Sequence, residues 1–134
     1  MWSESEKLAY VAGFIDGEGS ITISVDSKGC VTPRITITNI DIGALDFCRE
    51  VIGGRICSCT PRGNRRQQYQ LHIYRLGDLQ RALRMLLPYL IVKHEQGELL
   101  LKFVESRLSH KYESYTPSEW ELVEKIRELN RKGA

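Results

Sequence analysis

Polar and apolar residues alternate strictly through Ser20-Ile21-Thr22-Ile23-Ser24-Val25-Asp26, and again through Arg34-Ile35-Thr36-Ile37-Thr38-Asn39. A period of two marks a half-buried strand. Ser27-Lys28-Gly29 between the runs is turn chemistry, so the two strands read as a hairpin. Pro33, just ahead of the second run, belongs on an edge or at a bulge. A second hairpin is predicted from Arg55–Thr60, a Pro61–Arg66 loop and Gln67–Tyr74, where Tyr69, Leu71 and Ile73 alternate with Gln68, Gln70 and His72. Helical spacing fills the rest. Ser3-Glu4-Ser5-Glu6 has the pattern of a capping box and predicts a helix from about Glu4 to Asp16, stopped by Gly17 and Gly19. Asp41 caps a second helix that carries Ala44, Leu45, Cys48, Val51 and Ile52 on one face and ends at Gly53-Gly54. Asp78 is expected to cap a third, which stops near Pro88, and a fourth runs from near Val92 to about Leu108. Thr116-Pro117 opens a last helix with Trp120, Val123 and Ile126 turned inward.

The order is helix, hairpin, helix, hairpin, then three helices, and the helix–hairpin unit occurs twice. Every strand belongs to a hairpin, so the sheet is expected to be antiparallel with helices on one face, an α+β layout. Its other face is open. That face would show Ser20, Thr22, Ser24 and Asp26, then Arg34, Thr36 and Thr38, then Gln68, Gln70 and His72. In the third strand Cys57 and Cys59 are placed inward, because free cysteine is usually buried; this turns Ser58 and Thr60 outward. Hydroxyls, amides and a few cations dominate the open face, and such short donors and acceptors suit the base edges of a groove.

Composition bounds the class. The 134 residues, 42% hydrophobic and 27% charged, are ordinary for a globular chain and fit one domain over 1–134. No apolar run approaches the ~20 residues of a membrane span, so no membrane partner is expected. The N-terminus lacks the basic and apolar segments of a secretory signal; an intracellular protein follows, cytoplasmic in a prokaryote and organellar otherwise. Four cysteines, Cys30, Cys48, Cys57 and Cys59, then read as reduced thiols. A zinc site from Cys48, Cys57, Cys59 and His72 lacks the usual ligand spacing. The net charge of +2 hides a segregation. No acid occurs between Glu50 and Asp78, while Arg55, Arg62, Arg65, Arg66 and Arg75 do. With Lys28 and Arg34 they form the footprint of a polyanion partner.

The first helix is unusual in having two apolar stripes. Leu8, Val11, Ala12 and Ile15 make one; Tyr10, Gly13, Phe14 and Gly17 make the other. A helix that packs on one layer needs one stripe, so the second is expected to meet another copy of the chain, with Gly13 and Gly17 allowing close approach. The helix runs into Asp16-Gly17-Glu18-Gly19. Two copies related by a twofold would bring two Glu18 carboxylates together, which raise each other's pKa unless a cation lies between them. Hard divalent ions take such oxygens, with the Gly17 carbonyl as a further ligand. Carboxylates sharing metal over a phosphate backbone are an arrangement for phosphodiester hydrolysis.

Val11-Ala12-Gly13-Phe14-Ile15-Asp16-Gly17-Glu18-Gly19 resembles the LAGLIDADG motif of homing endonucleases, and the element order resembles their αββαββα core, here with extra C-terminal helix. The motif occurs once, as in the homodimeric branch of that family; Val11 replaces the leading Leu and Glu18 the closing Asp. The resemblance implies a site-specific, intron- or intein-encoded endonuclease acting as a homodimer on double-stranded DNA. It implies a long pseudo-palindromic site, a sheet in each major groove, cleavage at the central minor groove to short 3′ overhangs, and Mg2+ or Mn2+ as cofactor. Carried over by motif, Glu18 and the Gly17 carbonyl bind metal, Asn39 orients the attacking water and Lys93 supplies the basic residue. The family's basic residue near the start of the second helix has no counterpart at Gly43 or Ala44, which leaves that role vacant or to Arg49 or Arg66. The alternative is a catalytically silent nucleic-acid binder, an RNA maturase or a regulator.

Overall fold

The computed structural model describes residues 1–59, 63 and 66–132. The elements are α1 (Glu4–Glu18), β1 (Gly19–Val25), β2 (Val31–Asn39), α2 (Ile42–Ile52), β3 (Arg55–Cys59), β4 (Gln68–Ile73), α3 (Leu76–Leu86), α4 (His94–Ser109) and α5 (Pro117–Arg131). The strands form one antiparallel sheet in the order β1-β2-β4-β3, two hairpins joined through β2 and β4. The α+β layout and the doubled helix–hairpin unit are as the pattern predicts.

Capping chemistry sets most helix starts. Ser3 accepts from the Glu6 N–H and the Glu6 carboxylate accepts from the Ser3 N–H at 2.7 Å, a closed capping box. Asp41 caps α2, and Thr116 and Glu119 form a second capping box at α5. Helix α3 departs from expectation. It begins at Leu76 after Arg75, without a side-chain cap, and Asp78 lies inside its first turn, paired with Arg81 at 2.8 Å. There the carboxylate still complements the helix dipole.

The core lies between the sheet and the helices. Ile21, Ile23, Ile35, Ile37, Leu71 and Ile73 turn toward Val11, Ile15, Leu45, Leu79, Leu83 and Phe103, all buried. Pro33 falls on the stretch of β2 that only β1 flanks, since β4 pairs with Ile35–Asn39. Edge strand β1 is covered by α5, where the Asn130 amide donates to the Ile21 carbonyl at 3.1 Å. Trp120 is more exposed than predicted, its ring packed edge-on against Tyr115.

Strand β3 corrects the expected parity. Ile56 stands opposite Leu71, so both face the helices, while Arg55, Cys57 and Cys59 stand opposite His72, Gln70 and Gln68 on the open face. Ser58 therefore leaves the predicted open-face set and shares the side of Tyr69. Cys48 is the cysteine that behaves as core: it is fully buried, and burial pushes its thiol up to about 11. Thr60, Arg62 and Arg65 lie outside the described residues. No helix is long and apolar enough to cross a membrane among the described residues.

Candidate functional site

Helix α1 buries Val11, Ala12 and Ile15. Its other stripe is left open: Gly13 and Gly17 are exposed, nothing lies within 4 Å of a Cβ built on either, and Tyr10 is 43% exposed. The second stripe is therefore surface in one chain. Trp2, Tyr10, Phe14 and Phe47 extend it as an aromatic cluster with centroids 5.3–6.0 Å apart.

At the end of this helix Glu18 is exposed, with no hydrogen bond or ion pair to its carboxylate among the described residues. Gly19 turns the chain straight into β1, and only glycine fits easily there. A Cβ would sit 3.1 Å from the Ile15 Cα and 3.2 Å from the Thr36 carbonyl. The last carbonyls of a helix have no intrahelical partner. Here the Lys93 Nζ donates to the Asp16 carbonyl at 2.7 Å, a cation at the helix's negative end. The Asp16 carboxylate accepts in turn from the Ile91 and Lys93 N–H groups at 2.9 and 3.0 Å. Three hydrogen bonds thus staple the turn before α4 to the end of α1 and fix the Lys93 ammonium on the carbonyl of Asp16, two residues before Glu18 in the chain.

Asp16 is the residue that sequence reasoning missed. Its signal was an acid in the last turn of a helix, where the dipole disfavours it and a compensating partner is needed. Asn39 does end β2, but its side-chain carbonyl accepts from the Asp41 N–H at 2.8 Å, leaving the amide Nδ2 without a partner among the described residues.

The open face spreads from Glu18 across the sheet. Ser20, Thr36, His72 and Arg55 form one row, Thr38, Gln70 and Cys57 the next, with Thr22 opposite Arg34 and Gln68 opposite Cys59. Ser24 lies on the same side of β1, opposite Thr32. Asp26 is committed to the β1–β2 turn, its carboxylate accepting from the Lys28 and Cys30 N–H groups. Lys28 and Arg66 are exposed at opposite ends of the face, on the β1–β2 turn and before β4. The Arg34 Nε is buried without a hydrogen-bond partner among the described residues. A buried donor left unpaired costs about 1–3 kcal/mol, so an acceptor brought by a ligand would relieve it. Burial, and then the Arg34 guanidinium, hold His72 below the usual imidazole value of 6.5.

No group of three or more His, Cys, Asp or Glu side chains could hold a metal among the described residues. Cys48 lies in the core while Cys57 and Cys59 face away from it, so the four-residue zinc arrangement does not assemble. One Glu18 carboxylate and the adjoining helix-end carbonyl are a partial oxygen set for a hard divalent ion. It fits such an ion only when a second carboxylate or a phosphate completes it.

Neither family models nor curated proteins match the sequence. Solved structures do. The homing endonuclease I-CvuI in complex with its target is similar over 94% of this chain and 83% of its own, at 25% identity and a TM-score of 0.74. The archaeal intron-encoded homing endonuclease I-Vdi141I, complexed with DNA, is similar over 94% and 85%, at 22% identity and a TM-score of 0.77. The homing endonuclease I-TnaI is similar over 92% and 93%, at 22% identity and 0.67. LAGLIDADG homing endonucleases are thus what this chain resembles in fold, as in its motif.

Proposed function

We propose that this chain, which has the fold of the LAGLIDADG homing endonucleases and one copy of their motif, is itself a site-specific, intron- or intein-encoded DNA endonuclease working as a homodimer. One observation carries the reading. A free Glu18 carboxylate ends the helix whose Asp16 carbonyl holds the Lys93 ammonium, at the edge of a sheet face built mainly from hydroxyls, amides, thiols, an imidazole and arginines. A carboxylate so placed has no structural partner to explain it, and carboxylates facing phosphate are repelled by it.

Packing of the two exposed Tyr10/Gly13/Phe14/Gly17 stripes would join two copies and bring both Glu18 side chains to the twofold. The pair and the Gly17 carbonyls would hold Mg2+ or Mn2+, which when bound supplies Lewis-acid polarisation of the scissile phosphate and a more acidic water. The chain's own groups do the rest. Lys93 places positive charge where negative charge develops on the phosphate. The Asn39 Nδ2 is left to orient water. Arg34, Gln68, Gln70, His72 and the hydroxyls of β1 and β2 face base edges, and Arg66 and Lys28 meet phosphates.

The test is cleavage of a plasmid library carrying candidate pseudo-palindromic sites, with and without Mg2+, by wild type and Glu18→Gln. The expected result is metal-dependent double-strand cleavage by the wild type and none by the variant, with dimerisation and duplex binding retained. Duplex binding without cleavage by the wild type would make the protein a silent DNA binder. Cleavage by the variant near the wild-type rate would remove Glu18 from the centre.

A further inference from the structure

Four side chains on the open face form one hydrogen-bonded chain. Thr36 Oγ1 is 3.3 Å from His72 Nδ1, His72 Nε2 is 3.0 Å from Gln70 Oε1, and Gln70 Nε2 is 3.4 Å from Thr38 Oγ1. The register builds it. Thr36 stands opposite His72, Thr38 stands opposite Gln70, and Gln70 and His72 are two apart on β4, so all four point to one side.

A neutral imidazole has one donor and one acceptor nitrogen. If Nε2–H donates to the Gln70 carbonyl, Nδ1 accepts from the Thr36 hydroxyl, and the Gln70 amide donates to Thr38. Reversing every bond gives the one other consistent arrangement. The Gln70 amide therefore cannot turn over unless the ring proton moves to the other nitrogen as well. An unrestrained glutamine can present its amide in either sense.

We propose that His72 is a positioning residue for base recognition: it couples the sense in which Gln70 presents its carbonyl and amide to the place of its own ring proton, and so restrains which orientation of a base pair Gln70 accepts. A glutamine reads adenine by donating to N7 and accepting from N6. With its amide held in one sense it selects adenine on one strand, whereas a free amide accepts the pair in either orientation. This rests on the open face being the DNA surface.

The test is selection of duplexes from a randomised library by wild type, Gln70→Ala, His72→Phe and His72→Gln. The base pair that loses its preference in Gln70→Ala, together with its twofold mate, marks the position Gln70 reads. His72→Phe keeps a planar ring in the strand but removes both nitrogens; it is expected to lose roughly tenfold of the preference there, the order of one base-edge contact. His72→Gln restores a polar group near Nε2 and is expected to retain most of the preference. A purely packing role for the ring predicts the opposite order, and that order would overturn the proposal, as would an unchanged preference in His72→Phe. Failure of the wild type to enrich any sequence would remove the DNA surface and this role together. The coupling itself is read without DNA, from the 15N shifts of the His72 ring in the free protein. They are expected to show a changed tautomer ratio in Gln70→Ala; an unchanged ratio would refute the coupling even if the sheet binds DNA.

Discussion

Asp16 joins two tasks that single side chains usually divide. Its carboxylate takes two backbone N–H groups from the 91–93 turn, and its carbonyl takes the Lys93 ammonium. Asp16→Ala should leave two N–H groups unpaired and free the turn. We expect a loss of roughly 1.5–3 kcal/mol, the range for a hydrogen bond to a charged group, read as a shift in denaturant midpoint. Cleavage should fall further than that loss explains, because the turn that carries Lys93 is no longer tied to the end of α1 by the carboxylate and only the main-chain carbonyl still holds the ammonium. An unchanged midpoint would show the staple to be incidental. Arg34 predicts the reverse trade. Its buried Nε is unpaired, so Arg34→Met, which keeps the aliphatic stem, should leave the free protein as stable or up to about 1 kcal/mol more so while weakening duplex binding. A stability loss above about 1 kcal/mol would mean that the guanidinium holds the sheet together.

Helix α1 shows what an element does when half of it is unsatisfied. Gly13 faces open space, and a glycine within a helix costs about 1 kcal/mol relative to alanine. Gly13→Leu should therefore raise the stability of the single chain and abolish the dimer, since a leucine pushes paired helices apart. Sedimentation and thermal unfolding separate the two effects; an intact dimer would move the interface elsewhere. Helix α5 gives a pH prediction. Glu119, in its first turn, is buried; burial opposes its ionisation, but hydrogen bonds from Ser106, the Thr116 N–H and Arg107 outweigh this and hold the carboxyl below its ordinary value of 4.5. A folded-state pKa below the unfolded one contributes stability that is present above about 4.5 and lost as pH falls through the folded value. Glu119→Gln should flatten this acid limb in denaturation curves taken as pH falls below about 4.5, while remaining less stable than wild type at pH 7. The same elements show what the sequence made legible. The caps at Ser3, Asp41 and Thr116 and the alternation of β1, β2 and β4 could be read directly, because local chemistry decides them. Strand β3 could not. Two cysteines voted for one parity and a single Ile56 for the other, and the pairing of Ile56 with Leu71 prevailed, since a branched aliphatic gains more from burial than a small thiol. Asp78 misled because a carboxylate suits both a cap and a first turn. The Asp16–Lys93 staple lay out of reach because its partners are 77 residues apart.

Across the whole molecule the sheet's open side carries Arg34 and Arg55, with Arg66 ahead of β4, and the free Glu18 stands where the first helix runs into the sheet. A dimer built on α1 would carry two such faces, related by its twofold, so a contact made by one is made by both. Two groups of side chains should then fail differently. Thr22 lies on the open face opposite Arg34; Thr22→Val keeps the shape and β propensity but deletes the hydroxyl. It should change base preference at one pair and its mirror-related mate, by about 1–3 kcal/mol at most per half-site, and leave the salt dependence alone. Arg66 is exposed ahead of β4. Arg66→Ala should weaken every sequence alike and lower the slope of log affinity against log salt by about one phosphate contact per subunit, so about two for the dimer. Competition binding across single-substitution variants of the selected site, at two salt concentrations, reads both at once. If the Thr22 variant lost affinity uniformly with its base preferences intact, β1 would not lie along base edges. If the effect appeared in one half-site and not its mate, the two chains would not be related by a twofold on the DNA, and the α1 stripe would need another partner.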